Sequence, residues 1–207
     1  MYAVVGTLLW LDKPVEALNE LVRHLCGGRP GEIDGLTVDR LVPPQIPKGQ
    51  WSILFNPREN VKPGKTGEFD EGVILDHKHL KAMEPIFRQL VADRPGSDSL
   101  WNLSTEHMNQ SFSQALKILK LDTFNIVRYS WRHAAASHNL LSKDRTVEEV
   151  KARYRWKSDS SMKRYTKPAR VELFRAKLPK ESLKHGEIVR TQLPAMFAGQ
   201  KIKPPNQ

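Results

Sequence analysis

Cysteine is almost absent: Cys26 is the only one in 207 residues, which excludes an internal disulfide and a cysteine-based zinc site. Long apolar runs are missing as well. No stretch approaches the ~20 residues of a membrane span, and the start lacks the basic-then-apolar layout of a secretory signal. A phosphate-cradling glycine loop is also lacking. KPGKTG (62–67) has no leading glycine and no strand-to-helix setting, which argues against an ATP-driven enzyme. The expectation is an intracellular protein in a reducing compartment, with no membrane partner.

What is present is charge of one sign in one place. The net charge is +10, and residues 129–207 hold 18 lysines and arginines against 7 acids, whereas residues 1–128 hold 15 against 16. A one-sided basic field points to a polyanion, most simply nucleic acid. A solvated charged surface gives the same totals, so charge alone leaves both readings open. The hydrophobic content of 39% fits a folded chain with a real core.

The pattern predicts a mostly α class with a small antiparallel β-sheet (α+β). Residues 15–26 carry Val15, Leu18, Leu21, Val22 and Leu25 at helical spacing after Pro14, and Gly27-Gly28 ends that helix. GEIDGLTVDRL reads as a short helix with an extended exit. WSILF (51–55) and GVIL (72–75) read as strands. Residues 79–92 are helical in pattern, with a kink or a break expected at Pro85. RPGSDS (94–99) is a loop, and Thr105 begins a further helix. WRHAAASHNLL is helical, Thr146 and Glu149 form a capping box, and Ser158–Ser161 start a helix bearing Tyr165 that Pro168 limits. From 178 the chain is proline-punctuated and polar. The expected division is a main domain over 1–170 and a C-terminal helix or arm and tail over 171–207.

The chemistry lies in RYRWKSDSSMKRYTKP (153–168), where cations surround Trp156 and Tyr165. A tyrosine that attacks a phosphodiester must lose its phenolic proton, whose ordinary pKa is about 10. The transition state gathers negative charge on the non-bridging oxygens, which calls for fixed arginine forks. The leaving sugar oxygen needs an acid. One tyrosine, two arginines and one further acid suffice without a metal or other cofactor. Arg29 in GGRPGE, Lys65 in KPGKTGEFDE, Arg132 in YSWRH, Trp156 and Tyr165 supply such a set.

In that order and spacing the chain resembles the catalytic domain of the tyrosine recombinases, or phage-type integrases, from about residue 15 to 170. Its wording looks closer to recombinases of eukaryotic mobile elements than to bacterial chromosome-resolution enzymes, and the resemblance implies that 1–170 is the catalytic domain, without the N-terminal DNA-clamping domain that family members carry. The resemblance rests on Gly27–Glu32 as the family's Gly-x-Arg-x-x-Glu turn and Lys65-Thr66 as its hairpin lysine. It rests also on Arg132 in its His-x-x-Arg box, and on Trp156 nine residues before Tyr165. It implies that Arg29 and Arg132 clamp the scissile phosphate and that Lys65 protonates the leaving 5′ oxygen. Trp156 would pack beside the phosphate, and Tyr165 would form a 3′-phosphotyrosyl bond in double-stranded DNA. The activity implied is site-specific recombination or integration by a tetramer on DNA, in the nucleus of a eukaryote or the nucleoid of a bacterium. Glu32 and His133 would support the acting residues. Arg153, Arg155, Lys157, Lys163, Arg164 and Lys167 would contact the DNA backbone.

One position departs from the pattern. Tyr129 stands where the family has the box histidine, and a phenol is a poor base at neutral pH. Either Tyr129 fills the place with weaker proton transfer, His133 compensates, or activity is reduced. Two other readings therefore stand beside the first: a type IB topoisomerase-like nicking-closing enzyme, and a DNA-binding module that has lost catalysis. Lys62 competes with Lys65 for the hairpin role. His77 and His79 face different sides and lack a third ligand, so no metal site is expected. Glu68, Asp70 and Glu71 read as a solvated hairpin tip, and Cys26 as core.

Overall fold

The computed structural model describes residues 1–59, 67–158, 162 and 165–207. The first ten residues, YAVVGTLLW after Met1, are apolar on every side, and a helix of that kind has to be enclosed. They form α1 (Tyr2–Trp10), with Val4, Val5, Leu8 and Leu9 buried. Three elements enclose it: α2 (Pro14–Cys26), α6 (Thr105–Ile118) and α10 (Lys180–Phe197). Gly6 marks the closest approach, because a Cβ there would overlap a methyl of Val189 on α10.

The α2 helix ends at Gly27, whose φ of 66° is the left-handed conformation that glycine adopts without strain. A side chain at Gly27 would also overlap the ring of Tyr154. The chain then turns into the five-residue α3 (Pro30–Asp34), with Pro30 in its first turn. A 3₁₀ turn at Val38–Arg40 leads to the sheet. Among the described residues this sheet has three antiparallel strands in the order β1 (Leu41–Val42), β2 (Ser52–Phe55), β3 (Glu71–Ile74). Leu41 lies opposite Ile53, and Ile53 opposite Val73. These three and Phe55 face inward and are buried, while Ile74 points out.

Beyond the sheet, the expected break falls at Met83, between α4 (Lys78–Ala82) and α5 (Glu84–Val91), and Pro85 occupies the first turn of the second helix. α6 begins at Thr105 as expected, and Ser104 caps it, its hydroxyl accepting from the His107 N–H. α7 (Ser130–Leu141) begins directly after Tyr129. The capping box of α8 (Val147–Arg153) forms as expected: Thr146 Oγ1 accepts from the Glu149 N–H at 3.1 Å and Glu149 Oε2 accepts from the Thr146 N–H at 2.7 Å.

Two expectations are corrected. Pro168 does not limit a helix that carries Tyr165. It opens α9 (Pro168–Arg175), while Tyr165 sits in a turn with its N–H on the Met162 carbonyl at 2.9 Å. A proline without an N–H costs nothing in a first helical turn. Nor is the segment after 178 an arm. α10 buries Val189, Leu193 and Met196 in the same core as α1. The boundary near 170 thus does not set this helix apart. Gly186 and Pro194 interrupt the sequence signal for α10, but the apolar stripe at three- and four-residue spacing survives them. No helix among the described residues is long and apolar enough to cross a membrane.

Candidate active site around Tyr165

The base of the site is a buried charged network. Arg128 donates from Nε to Glu20 at 2.6 Å and from both terminal nitrogens to Asp34, at 2.7 and 2.8 Å. Arg23 adds a bond to Asp34 at 2.6 Å, and Trp131 donates its indole N–H to Glu20 at 2.6 Å. Burial would raise the Asp34 carboxyl, but the bonds from Arg128 and the charge of Arg23 outweigh it and hold the carboxyl below its ordinary value. Paired and multiply bonded charges are the form in which burial is tolerated, and removing one partner strands the rest. The network ties α2 and α3 to the start of α7, and so fixes the direction in which Arg132 and His133 leave that helix. Sequence reading missed Arg128. Its signal was an arginine four residues before Arg132, with Asn19, Glu20 and Arg23 placed among the apolar residues of α2.

Above this base lies an aromatic stack. Tyr154, Trp156 and Tyr165 follow one another with centroids 5.0 and 4.8 Å apart, the last pair within 5° of parallel. His133 closes the other side of Tyr165. Their rings are 5.5 Å apart, and His133 Nδ1 lies 2.6 Å from the Tyr165 hydroxyl. With the ring proton on Nε2, the imidazole accepts the phenolic hydrogen. Tyr129 meets the edge of His133 at 4.8 Å and is itself 39% exposed. Tyr165 is buried.

Arg132 lies wholly beneath the stack. Its terminal nitrogens donate to the carbonyls of Gly27 and Tyr154, and its guanidinium is 5.4 Å from the Trp156 ring and 5.5 Å from the Tyr154 ring. Burial, then the charges of Arg29 and Arg155, bring its pKa down to about 10. Three arginines therefore share one field, joined to Tyr165 through the Trp156 ring that Arg132 and Tyr165 both contact. Glu32 bridges the other two: it accepts from Arg29 Nη1 at 2.5 Å and from Arg155 Nη2 at 2.6 Å. Burial would raise the Glu32 carboxyl, yet Arg155 and the bonds from Arg29 leave it lowered.

The structure thus brings Arg29, Glu32, Arg132, His133, Tyr129, Trp156 and Tyr165 together. Two expected DNA contacts are corrected. Arg155 has a side chain only 4% exposed, lies 4.0 Å over the Phe55 ring and is engaged by Glu32. Arg153 is buried, donating to the carbonyls of Leu25 and Ile74 and pairing with Asp76 at 3.1 Å. Both anchor the chain after α8 to the sheet and α2. A basic run in sequence hides such inward arginines, because their long stems let the heads reach backbone carbonyls. Lys157 is exposed, with its amine 3.0 Å from Glu68. Lys167 is exposed just ahead of α9. Lys65, Lys163 and Arg164 lie outside the described residues, as does Lys62.

Among the described residues no group of three histidines, cysteines or acids is placed to hold a metal. His77 Nδ1 accepts from the His79 N–H, and His79 Nδ1 lies 2.8 Å from the Tyr2 hydroxyl. Burial pushes the Cys26 thiol up to about 11, as expected of a core residue. Comparison of the chain with protein-family models, curated proteins and solved structures returns no match.

Proposed function

We propose that this chain cleaves and rejoins DNA strands through Tyr165, in the manner of the tyrosine recombinases it resembles. The observation that carries the reading is the 2.6 Å contact between the Tyr165 hydroxyl and His133 Nδ1, with the Arg132 guanidinium 5.4 Å from the Trp156 ring on which Tyr165 stacks. His133 takes the phenolic proton as the Tyr165 oxygen bonds to phosphorus. The bond from phosphorus to the 5′ oxygen breaks, and that oxygen takes a proton from an acid, the role the resemblance gives to Lys65. The 3′-phosphotyrosyl link keeps the phosphodiester energy, so a 5′ hydroxyl reverses the step without ATP. His133 thereby takes over the work of the box histidine that Tyr129 replaces. Arg29 and Arg132 neutralise the phosphorane-like transition state. Trp156 holds the Tyr165 ring by stacking. Strand exchange between two sites needs a tetramer, whereas a nicking-closing enzyme relaxes supercoils as a monomer.

The burial of Tyr165 and the engagement of Arg132 by two carbonyls favour a second reading, a DNA-binding module without catalysis. A duplex nicked beside the cleavage position separates the two. The expected result is a covalent protein–DNA adduct that disappears in Tyr165→Phe. Duplex binding with no adduct in the unaltered chain would leave only the inert module.

A further inference from the structure

Beside Arg29 runs a cleft of about 480 Å³, walled on one side by α3 and the following turn and on the other by the end of β2. Arg29, Glu32, Thr37, Arg40 and Asn56 give it polar groups, and Leu54, the half-buried residue of β2 between the buried Ile53 and Phe55, gives it apolar wall. Its charge is positive on balance. Glu32 is the acid of the lining and is already bridged by two arginines, Arg29 and Arg155, while Arg40 is a further cation. Among the described residues, the ion pair of Arg40 is a long one, from Nε to Asp39 at 3.4 Å, and its side chain is 23% exposed. Arg40 therefore puts a partly exposed guanidinium on the wall of a concave, partly apolar space, which is the setting that recognises a phosphate ester on a sugar. The cleft also adjoins the candidate active site, because Arg29 belongs to both.

We propose that this cleft holds a second, uncleaved phosphodiester of the DNA strand, next to the one at Arg29 and gripped by Arg40, with the sugar against Leu54. The proposal rests on DNA as the partner of the Tyr165 site. It assigns Arg40 a positioning duty: by fixing a neighbouring phosphate it sets which phosphodiester reaches Tyr165.

The test is equilibrium binding of a labelled duplex over a range of salt, comparing the unaltered chain with Arg40→Gln, Arg40→Lys and, as a control on the exposed face of α10, Lys184→Ala. Each contacted phosphate contributes a slope of about −0.9 to log K against log salt. Arg40→Gln is expected to lower the slope by that one contact and to weaken binding equally for all sequences. Arg40→Lys, which keeps the charge, is expected to retain the slope, and so is Lys184→Ala. An unchanged slope and affinity in Arg40→Gln would overturn the proposal. So would thermal protection by inorganic phosphate that Arg40→Gln abolishes while the DNA slope stays the same, because the cleft would then be a free-phosphate site. The readout is binding, so a missing Tyr165 adduct sinks the proposed cleavage without obscuring this result.

Discussion

At the residue scale, two tyrosines have changed rank. Tyr129 occupies the place where the family the chain resembles has a histidine, yet it is His133 that touches the Tyr165 hydroxyl, with Tyr129 bracing the imidazole edge-on. A histidine four residues on stands one helical turn further along the same face, so the ring is supplied from the next turn. Loss of a proton-transfer group lowers rates by about 10²–10⁴. His133→Ala is therefore expected to slow adduct formation on a nicked duplex by that order while leaving duplex affinity within about twofold. Added imidazole should restore part of the rate, a rescue that a merely structural histidine does not give. Adduct formation at the unaltered rate in His133→Ala would remove His133 from proton transfer. The motif made Tyr165, Trp156 and Arg132 legible. The inward turn of Arg153 and Arg155 was not, because a basic run carries no mark of which heads find carbonyls and which find solvent.

At the scale of elements, local chemistry was read well where it is local. The Thr146–Glu149 box, the Gly27 turn and the strand pair around Ile53 and Val73 need only neighbours in sequence or simple alternation. His77 shows what the fold adds. It caps α4 through Nδ1, and burial, then the charges of His79 and Arg153, bring its pKa down from 6.5 to about 4. The unfolded chain thus binds a proton near pH 6.5 that the folded chain refuses until about pH 4. Stability is full above about pH 6.5 and falls as the pH drops from there toward 4. Protonation also removes the lone pair that caps the helix. His77→Asn keeps a capping acceptor without the titration. Thermal midpoints measured from pH 7.5 to 4.5 are expected to fall for the unaltered chain and to fall less steeply for His77→Asn. Parallel curves would show that His77 carries none of the dependence.

At the scale of the whole molecule, the two ends meet. α1 and α10 are far apart in sequence, yet Val4, Val5, Leu8, Val189 and Leu193 are buried together, with Gly6 admitting Val189. A chain that ends at Leu178 exposes one side of α1 and loses three core side chains. Each such loss costs about 2–5 kcal/mol when it leaves a cavity, against a typical total stability of about 5–15 kcal/mol. Truncation at 178 is expected to abolish cooperative thermal unfolding followed by circular dichroism. A sharp transition near the midpoint of the full chain would show that α10 is dispensable and restore the arm.

The sequence by itself determined the mostly helical class with its small sheet, the one-sided basicity and the spacing that sets Arg132, Trp156 and Tyr165 apart as candidates. Hydrophobic period, capping and motif spacing are all written along the chain. Only tertiary structure decided that His133 faces Tyr165, that Glu32 bridges Arg29 and Arg155, that Arg128 locks α7 to α2 and α3, and that α10 completes the core. Each of these is a contact between residues distant in sequence or a choice among several cations. Long-range packing selects such contacts, and no local pattern encodes them.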